Sequence, residues 1–258
     1  MKNTKIEKLA NNLVKAFISN KIIAPIPLKY TKNMKDAEKL RRLCESKVKL
    51  PIAGFKAAGT SLPVLKKLRE KEPFYASIFK NNVLKNGKSV RVNAHTLGIE
   101  LEVGYLIKKS FFQSKGSINF LNIHKYISHM MPAIEVVGYR QKKTGIKFLG
   151  DLCSDFGANV KFIIGKKIKY KKINFEKLTS NLENKKIKQF VKGHSNTVYI
   201  NPLNSLKFVL NKLKKDKIVL DKNFYIFTGS TVGVTPILGK GFYQGKIDKI
   251  GSVKAKII

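Results

Sequence analysis

Gly98-Ile-Glu-Leu-Glu-Val-Gly104 alternates aliphatic and acidic residues between two glycines. On a β-strand, side chains two apart share a face, so Ile99, Leu101 and Val103 turn one way and Glu100 and Glu102 the other. A helix would scatter the same residues around its circumference, so the stretch reads as a strand with one apolar and one acidic face. Met131-Pro-Ala-Ile-Glu-Val-Val-Gly138 has a similar texture, with one carboxylate, Glu135, inside an otherwise apolar run.

Outward from these two segments, the chain beyond about residue 50 is made of short β-branched stretches punctuated by glycine. Strands are predicted over 52–56, 90–92, 99–107, 133–139, 160–164, 198–200, 225–228, 242–247 and 252–257. Helices are predicted over 62–70, 121–130 and 203–214, the last after the start signal Asn201-Pro202. Upstream, Ile6, Leu9, Leu13, Phe17 and Ile18 recur at helical spacing over 4–20, and Ala37, Leu40, Leu43 and Cys44 do so over 35–46, with Pro25 and Pro27 between. Strands neither alternate regularly with helices nor exclude them, which points to an α+β fold: a mixed β-sheet core with peripheral helices. One structural unit is expected, in which a helical N-terminal segment, residues 1–50, packs on a β-rich core, residues 51–258.

Lys and Arg total 52 against 16 Asp and Glu, a formal net charge of +36 that by itself suggests a nucleic-acid or acidic-membrane partner. Only five of the 52 are arginine, and the lysines run diffusely from Lys2 to Lys256. Phosphate readers concentrate arginine and interleave aromatics, so no nucleic-acid partner is expected. The densest runs, over 166–172 and 185–192, read as solvated loop or edge positions. Cys44 and Cys153 make neither a disulfide framework nor a metal-type spacing, which fits a reducing compartment. The amphipathic, charged N-terminus does not read as a signal peptide, and no apolar stretch reaches the roughly 18 residues of a spanning helix. A soluble, cytoplasmic protein without a membrane partner is expected.

Acids are so scarce here that each one interrupting an apolar strand asks for a reason. Taken alone, Glu100 and Glu102 suit a solvent-facing strand paired with lysines as well as they suit a site. Glu135 changes the balance, because a lone carboxylate inside a buried strand is costly unless paired or bound to a cation. The three glutamates could give oxygen ligands to one divalent ion, and such hard donors favour Mg²⁺ or Mn²⁺ over Zn²⁺. His95, His124, His129 and His194 form no ligand pair at a recognisable spacing. Lys56, glycine-flanked in Ile52-Ala-Gly-Phe-Lys-Ala-Ala-Gly-Thr60, is either one more surface lysine or a site lysine. In a site it would hold a carboxylate or enolate, its pKa lowered by burial. In Phe227-Thr-Gly-Ser-Thr231, the residues Thr228, Gly229 and Ser230 offer a tight loop whose N–H groups could hold an oxyanion.

Taken in order, these segments resemble the fumarylacetoacetate hydrolase superfamily, and within it the branch of 2-keto-4-pentenoate hydratases and 2-oxo-3-hexenedioate decarboxylases. The pieces that match are Ile52-Ala-Gly-Phe-Lys-Ala-Ala-Gly-Thr-Ser61, Gly98-Ile-Glu-Leu-Glu-Val-Gly104, Pro132-Ala-Ile-Glu-Val-Val-Gly-Tyr-Arg140, Val198-Tyr-Ile-Asn-Pro-Leu-Asn204, Phe227-Thr-Gly-Ser230 and Ile250-Gly-Ser-Val-Lys-Ala-Lys256. With Pro25-Ile-Pro-Leu28 the resemblance spans nearly the whole chain from residue 25.

The resemblance implies a mixed β-roll with peripheral helices, a homo-oligomer, a role in aromatic-compound catabolism and a divalent metal, Mg²⁺ or Mn²⁺, on Glu100, Glu102 and Glu135. It puts Lys56 on the family's lysine and implies a 2-hydroxydienoate or 2-oxo acid substrate held by Lys56, Thr228, Gly229 and Ser230. It also puts Asn81 where the family carries an aspartate, and Asp155 on a matching aspartate, so both join the catalytic candidates. Phe156 and Ala158 stand where the hydratases carry asparagine and serine, and the stretch from Asp216 past Lys222 lacks glycines that the family has there. The implied activity is a hydro-lyase that adds water to a 2-hydroxy-2,4-dienoate to give a 4-hydroxy-2-oxo acid. Decarboxylation of a 2-oxo-3-hexenedioate or carbon–carbon hydrolysis on the same scaffold comes next. A basic nucleic-acid-binding protein or a degenerate non-catalytic one ranks below these.

Overall fold

The computed structural model describes residues 5–19 and 21–258. The chain enters as two helices, α1 (Lys5–Ser19) and α2 (Met34–Lys47), the second started by Asn33, whose side chain accepts from the Asp36 N–H. Their apolar stripes, among them Leu13, Val14, Leu40 and Cys44, bury together against Phe79 and Phe156 of the β-rich part. The helix predicted over 4–20 forms over its described part; residues 4 and 20 lie outside the described residues.

The remaining elements are β1 (Ile52–Ala58), α3 (Leu62–Lys67), β2 (Phe74–Phe79), β3 (Val83–Lys85), β4 (Ser89–Val90), β5 (Thr96–Ile107), β6 (Ile127–Gly138), α4 (Leu149–Cys153), β7 (Asn159–Ile164), β8 (Ile168–Lys169), β9 (Thr179–Asn184), β10 (Gln189–His194), α5 (Pro202–Lys215), β11 (Phe224–Ser230), β12 (Gly241–Ile247) and β13 (Gly251–Ile257). One sheet runs β2-β1-β11-β5-β6-β7-β3 with β8 beside β6, and the second runs β10-β9-β12-β13-β4. Parallel and antiparallel pairs mix in both sheets. The edge strands of the first sheet, β2 and β3, are joined by nothing longer than a turn at Lys80–Asn82, so the sheet curls until its edges lie side by side. That is the roll the motifs imply.

The alternation in β5 divides the molecule into an inside and an outside of the roll. Leu101 and Val103 face the second sheet and share one core with Leu182, Tyr243, Val253 and Ala255. Gly245 of β12 takes the Leu101 side chain so closely that a Cβ there would stand 2.4 Å from its Cδ1. Glu100 and Glu102 therefore point into the roll, whose outer flank is covered by the apolar stripe of α5, including Leu206, Val209 and Leu213.

Two predicted elements form differently. The helix predicted over 121–130 is one 3₁₀ turn at Ile123–Tyr126, and from Ile127 the chain is already β6, because pairing with β5 outweighs the local helical spacing. The strand predicted over 198–200 is a turn in which Tyr199 and Ile200 have φ of 46° and 76°, swinging the chain onto the Asn201 cap of α5. The helix predicted over 62–70 ends at Lys67, and β2, β9 and β10 arise where no strand was expected. Among the described residues no helix is long and apolar enough to cross a membrane, and Cys44 and Cys153 are both free and buried.

Candidate functional site

β5 and β6 run antiparallel in a register that sets Glu100 opposite Glu135 and Glu102 opposite Ala133. Three carboxylates consequently share the inner face of one ladder, and one oxygen of each lies within 4.8 Å of the others. Glu102 and Glu135 are wholly buried. Such a cluster of like charges survives only if something answers it.

Part of the answer is Lys56. It sits on β1, and three strand spacings, about 14 Å in a flat sheet, would separate it from β6. The curl of the roll closes that gap: the Lys56 Nζ donates to Glu135 Oε1 at 2.6 Å and to the Gly157 carbonyl at 3.3 Å. A second part is the Gly229 N–H, which donates to Glu102 Oε2 at 2.8 Å from the irregular stretch where the β11–β5 register shifts. Gly229 has φ of 103°, and a Cβ on it would stand 2.0 Å from the Thr60 hydroxyl, so glycine is required on both counts.

These partners leave the cluster half satisfied. Among the described residues, Glu102 Oε1 and Glu135 Oε2 are buried without any hydrogen-bond partner. Burial, and then the charge of Glu100, push the Glu102 carboxyl up to about 7. Burial holds Glu135 well above the carboxylate range despite Lys56, and raises Glu100 as well. Burial also works against the charge on Lys56, but Glu135 first, then Glu100 and Glu102, outweigh it and keep the ammonium above its ordinary pKa. The lowering of the lysine pKa expected from burial alone is thus reversed by its neighbours. An all-oxygen donor set with two orphaned oxygens fits a hard divalent cation, which would neutralise the cluster and take both unpaired atoms.

A cavity of about 200 Å³ opens beside the cluster, and Lys56, Glu100, Gly229 and Ser230 line it. Thr228 does not: its hydroxyl donates to the Val103 carbonyl at 2.9 Å and its own carbonyl accepts from Ser205, so it holds the loop. The Gly229 N–H, expected to hold an external oxyanion, instead holds the chain's own Glu102. Asn81 lies on the exposed turn between β2 and β3, its carbonyl taking the Lys161 Nζ at 2.8 Å, so the structure does not bring it to the cavity. Asp155 is fully buried in an ion pair with Arg140, accepting from its main-chain N–H at 2.8 Å and from Nη1 at 2.9 Å. It does not line the cavity, and neither does the neighbouring Phe156, which stacks on Phe17 of α1 at 4.5 Å. Asp216 likewise serves the framework, accepting from Tyr75 and Arg42.

Sequence reasoning passed over Gly157. Phe156, Gly157 and Ala158 take φ of 53°, 69° and 55° in succession, a conformation that turns the Gly157 carbonyl onto Lys56 and the Ala158 methyl into the cavity. Gly157 itself was the available signal, since a Cβ there would stand 2.7 Å from the Ala76 Cβ.

No protein-family model and no curated protein matches the chain. Solved structures do. 4-Oxalocrotonate decarboxylase from Pseudomonas putida G7, complexed with magnesium and adipate, superposes with a TM-score of 0.82 at 19% identity, over 100% of this chain and 99% of that one. Fumarylpyruvate hydrolase from Pseudomonas aeruginosa, in complex with Mn²⁺ and pyruvate, gives 0.59 at 11% identity over 82% and 92%. 2-Hydroxyhepta-2,4-diene-1,7-dioate isomerase from Mycobacterium marinum gives 0.53 at 14% over 81% and 76%. At these identities the likeness establishes the fold, and it is the fold that the motif resemblance implies.

Proposed function

We propose that the chain is a divalent-metal-dependent lyase that binds a 2-hydroxydienoate or its 2-oxo tautomer and adds water to it, giving a 4-hydroxy-2-oxo acid. The observation that carries this reading is the buried cluster of Glu100, Glu102 and Glu135 with two orphaned oxygens, set against a cavity that also receives Lys56. Mg²⁺ or Mn²⁺ on the three glutamates would supply Lewis acidity toward the adjacent carboxylate and 2-oxo oxygens of such an acid, as the metal-complexed structures of the same fold suggest.

The chain's own groups do the rest. Lys56 stays protonated beside Glu135, so it acts as a fixed cation that stabilises the substrate carboxylate or a developing enolate rather than as a base. The Gly157 carbonyl and Glu135 aim its ammonium. Thr60 and Ser61 bring hydroxyls to the same cavity and can orient the attacking water. A second reading, decarboxylation of a 2-oxo diacid, is favoured by one observation: a structure that superposes over the whole chain is a decarboxylase. There the same charges would steady the enolate left by departing CO₂. Either reading goes with a proposed homo-oligomer, which light scattering would test.

The test is to strip the protein with chelator, restore Mg²⁺ or Mn²⁺, and follow the dienol absorbance of 2-hydroxypenta-2,4-dienoate, with Glu135→Gln as control. Metal-dependent loss of absorbance with a hydrated product, abolished in Glu135→Gln, is the expected result. Release of CO₂ from a 2-oxo-3-hexenedioate without hydration of the dienoate would select the second reading, and indifference to metal would overturn both.

A further inference from the structure

A second cavity, of about 260 Å³, shares no lining residue with the glutamate cluster or the hollow beside it. It lies where the chain leaving α1 and the chain leaving β4 meet the neighbouring strands β6 and β7. Two main-chain contacts fix that meeting. The Ile23 N–H donates to the Arg140 carbonyl at 2.8 Å, and the Ile258 N–H donates to the Val90 carbonyl at 3.1 Å. Lys21, Arg91, Arg140 and Lys161 line the cavity, and no Asp or Glu does.

Asp155 answers the Arg140 guanidinium. Among the described residues no carboxylate pairs with Lys21, Arg91 or Lys161. Lys161 is half-buried, and its ammonium donates to the Asn81 carbonyl at 2.8 Å. Burial, and then the charge of Arg140, hold that ammonium below the ordinary lysine range. Exposed lysines are ordinary in a chain of net charge +36, but a half-buried lysine beside a buried arginine, at a cavity without an acid, is not. An anion in the cavity would relieve the repulsion among these cations.

The three unanswered cations call for more negative charge than one carboxylate carries. A phosphate dianion supplies it, and its oxygens can take the Arg91 fork and both ammonium groups together. Ser89 and Asn82 line the cavity with further donors. The remaining wall is largely apolar, and Ile18 on it is left 64% exposed, where a bound organic group would cover it. We infer that this cavity is a phosphate-binding site, taking free phosphate or the phosphate of a small ester whose organic part lies on Phe17, Ile18 and Val160. The site is independent of the metal-dependent reading above and of the residues that carry it.

Titration calorimetry of the full chain, metal-free and dialysed clear of chelator in a low-salt buffer, tests this with inorganic phosphate, phenyl phosphate and benzoate. At least one of the two phosphates should bind with a Kd of about 1 mM or tighter, and benzoate about tenfold more weakly. Tighter binding of phenyl phosphate identifies an ester as the ligand, and equal binding identifies free phosphate. Arg91→Gln, at an exposed position where the fold does not depend on it, and Lys161→Met should each weaken phosphate binding several-fold, and together by at least about tenfold. Lys254→Met with Lys256→Met, on the outer face of the second sheet, removes the same net charge and should leave binding unchanged. Equal weakening by that control pair overturns the site, because diffuse charge would then hold the ion. Absence of phosphate binding, or benzoate binding as tightly as phenyl phosphate, overturns it too.

Discussion

Replacing Lys56 by methionine removes the ammonium from the carboxylate cluster while keeping most of the side-chain volume. Both partners of the Lys56–Glu135 pair are buried, with side chains 4% and 0% exposed, so solvent cannot take over the lost contact. Deleting one member of such a pair costs about 3–5 kcal/mol. At roughly 2–4 °C per kcal/mol for a chain of this size, the apo protein should melt about 6–20 °C lower near pH 8. The deficit should shrink in mild acid, because Glu135 can then take a proton and cease to be an unpaired charge. Mn²⁺ should restore more stability to Lys56→Met than to the unaltered chain, since the ion supplies the missing positive charge to the same oxygens. Thermal melts with and without Mn²⁺ at the two pH values, repeated for Glu135→Gln and for the double variant, measure all of this. The double variant should lose less than the sum of the singles by at least about 1 kcal/mol. A loss under about 1 kcal/mol near pH 8 with no pH slope, or strict additivity, would refute the coupled, buried pair on which the site is built.

Other consequences are independent of Lys56. The Glu102 carboxyl, pushed up to about 7, is a group whose folded pKa lies above its unfolded one. Its contribution favours the fold below about pH 4 and is lost as pH rises through about 7, so the metal-free protein should soften over that window while the metal-loaded protein does not; pH-resolved melts check this. For the same reason metal binding should tighten on passing upward through about pH 7 and release protons, read by calorimetry in two buffers of different ionisation enthalpy. Gly229→Ala, which puts a Cβ against the Thr60 hydroxyl at a φ of 103°, should displace the N–H that holds Glu102 and weaken Mn²⁺ binding about tenfold, with unchanged Mn²⁺ affinity as the contrary result. Asp155→Asn should cost roughly 3 kcal/mol in urea unfolding by leaving Arg140 buried and unpaired, and a variant as stable as the parent would show that the pair is not structural.

The legible part of the fold was the part written in period two. Ile99, Leu101 and Val103 against Glu100 and Glu102 give a strand with two unlike faces, and the structure sends one to the second sheet and the other into the roll. β2 was missed because Phe74-Tyr-Ala-Ser-Ile-Phe79 is buried at every position and shows no alternation to read. β9 and β10 were missed for the opposite reason: Thr179-Ser-Asn-Leu-Glu-Asn184 is polar, and it is a strand because Leu182 reaches the core and β12 supplies a ladder. The turn at Tyr199 and Ile200 defeats propensity outright, since the β-branched and aromatic side chains that suggested a strand sit at positive φ.

The same logic divides the site. Glu135 could be singled out because a carboxylate in an apolar strand needs a partner wherever that strand packs, and the need is a property of the residue. Who answers it is a property of topology. Lys56 stands far from Glu135 along the chain and three strands away in the sheet, and only closure of the roll makes them neighbours. Asp155 shows the converse. The resemblance put it among the catalytic candidates, yet in the structure its charge is fully answered by Arg140, whereas Glu102 and Glu135 each keep an oxygen that the described chain does not answer. The distinction between a framework carboxylate and a functional one therefore lies in what is left unpaired after the fold has formed, and that remainder is what points to a cation here.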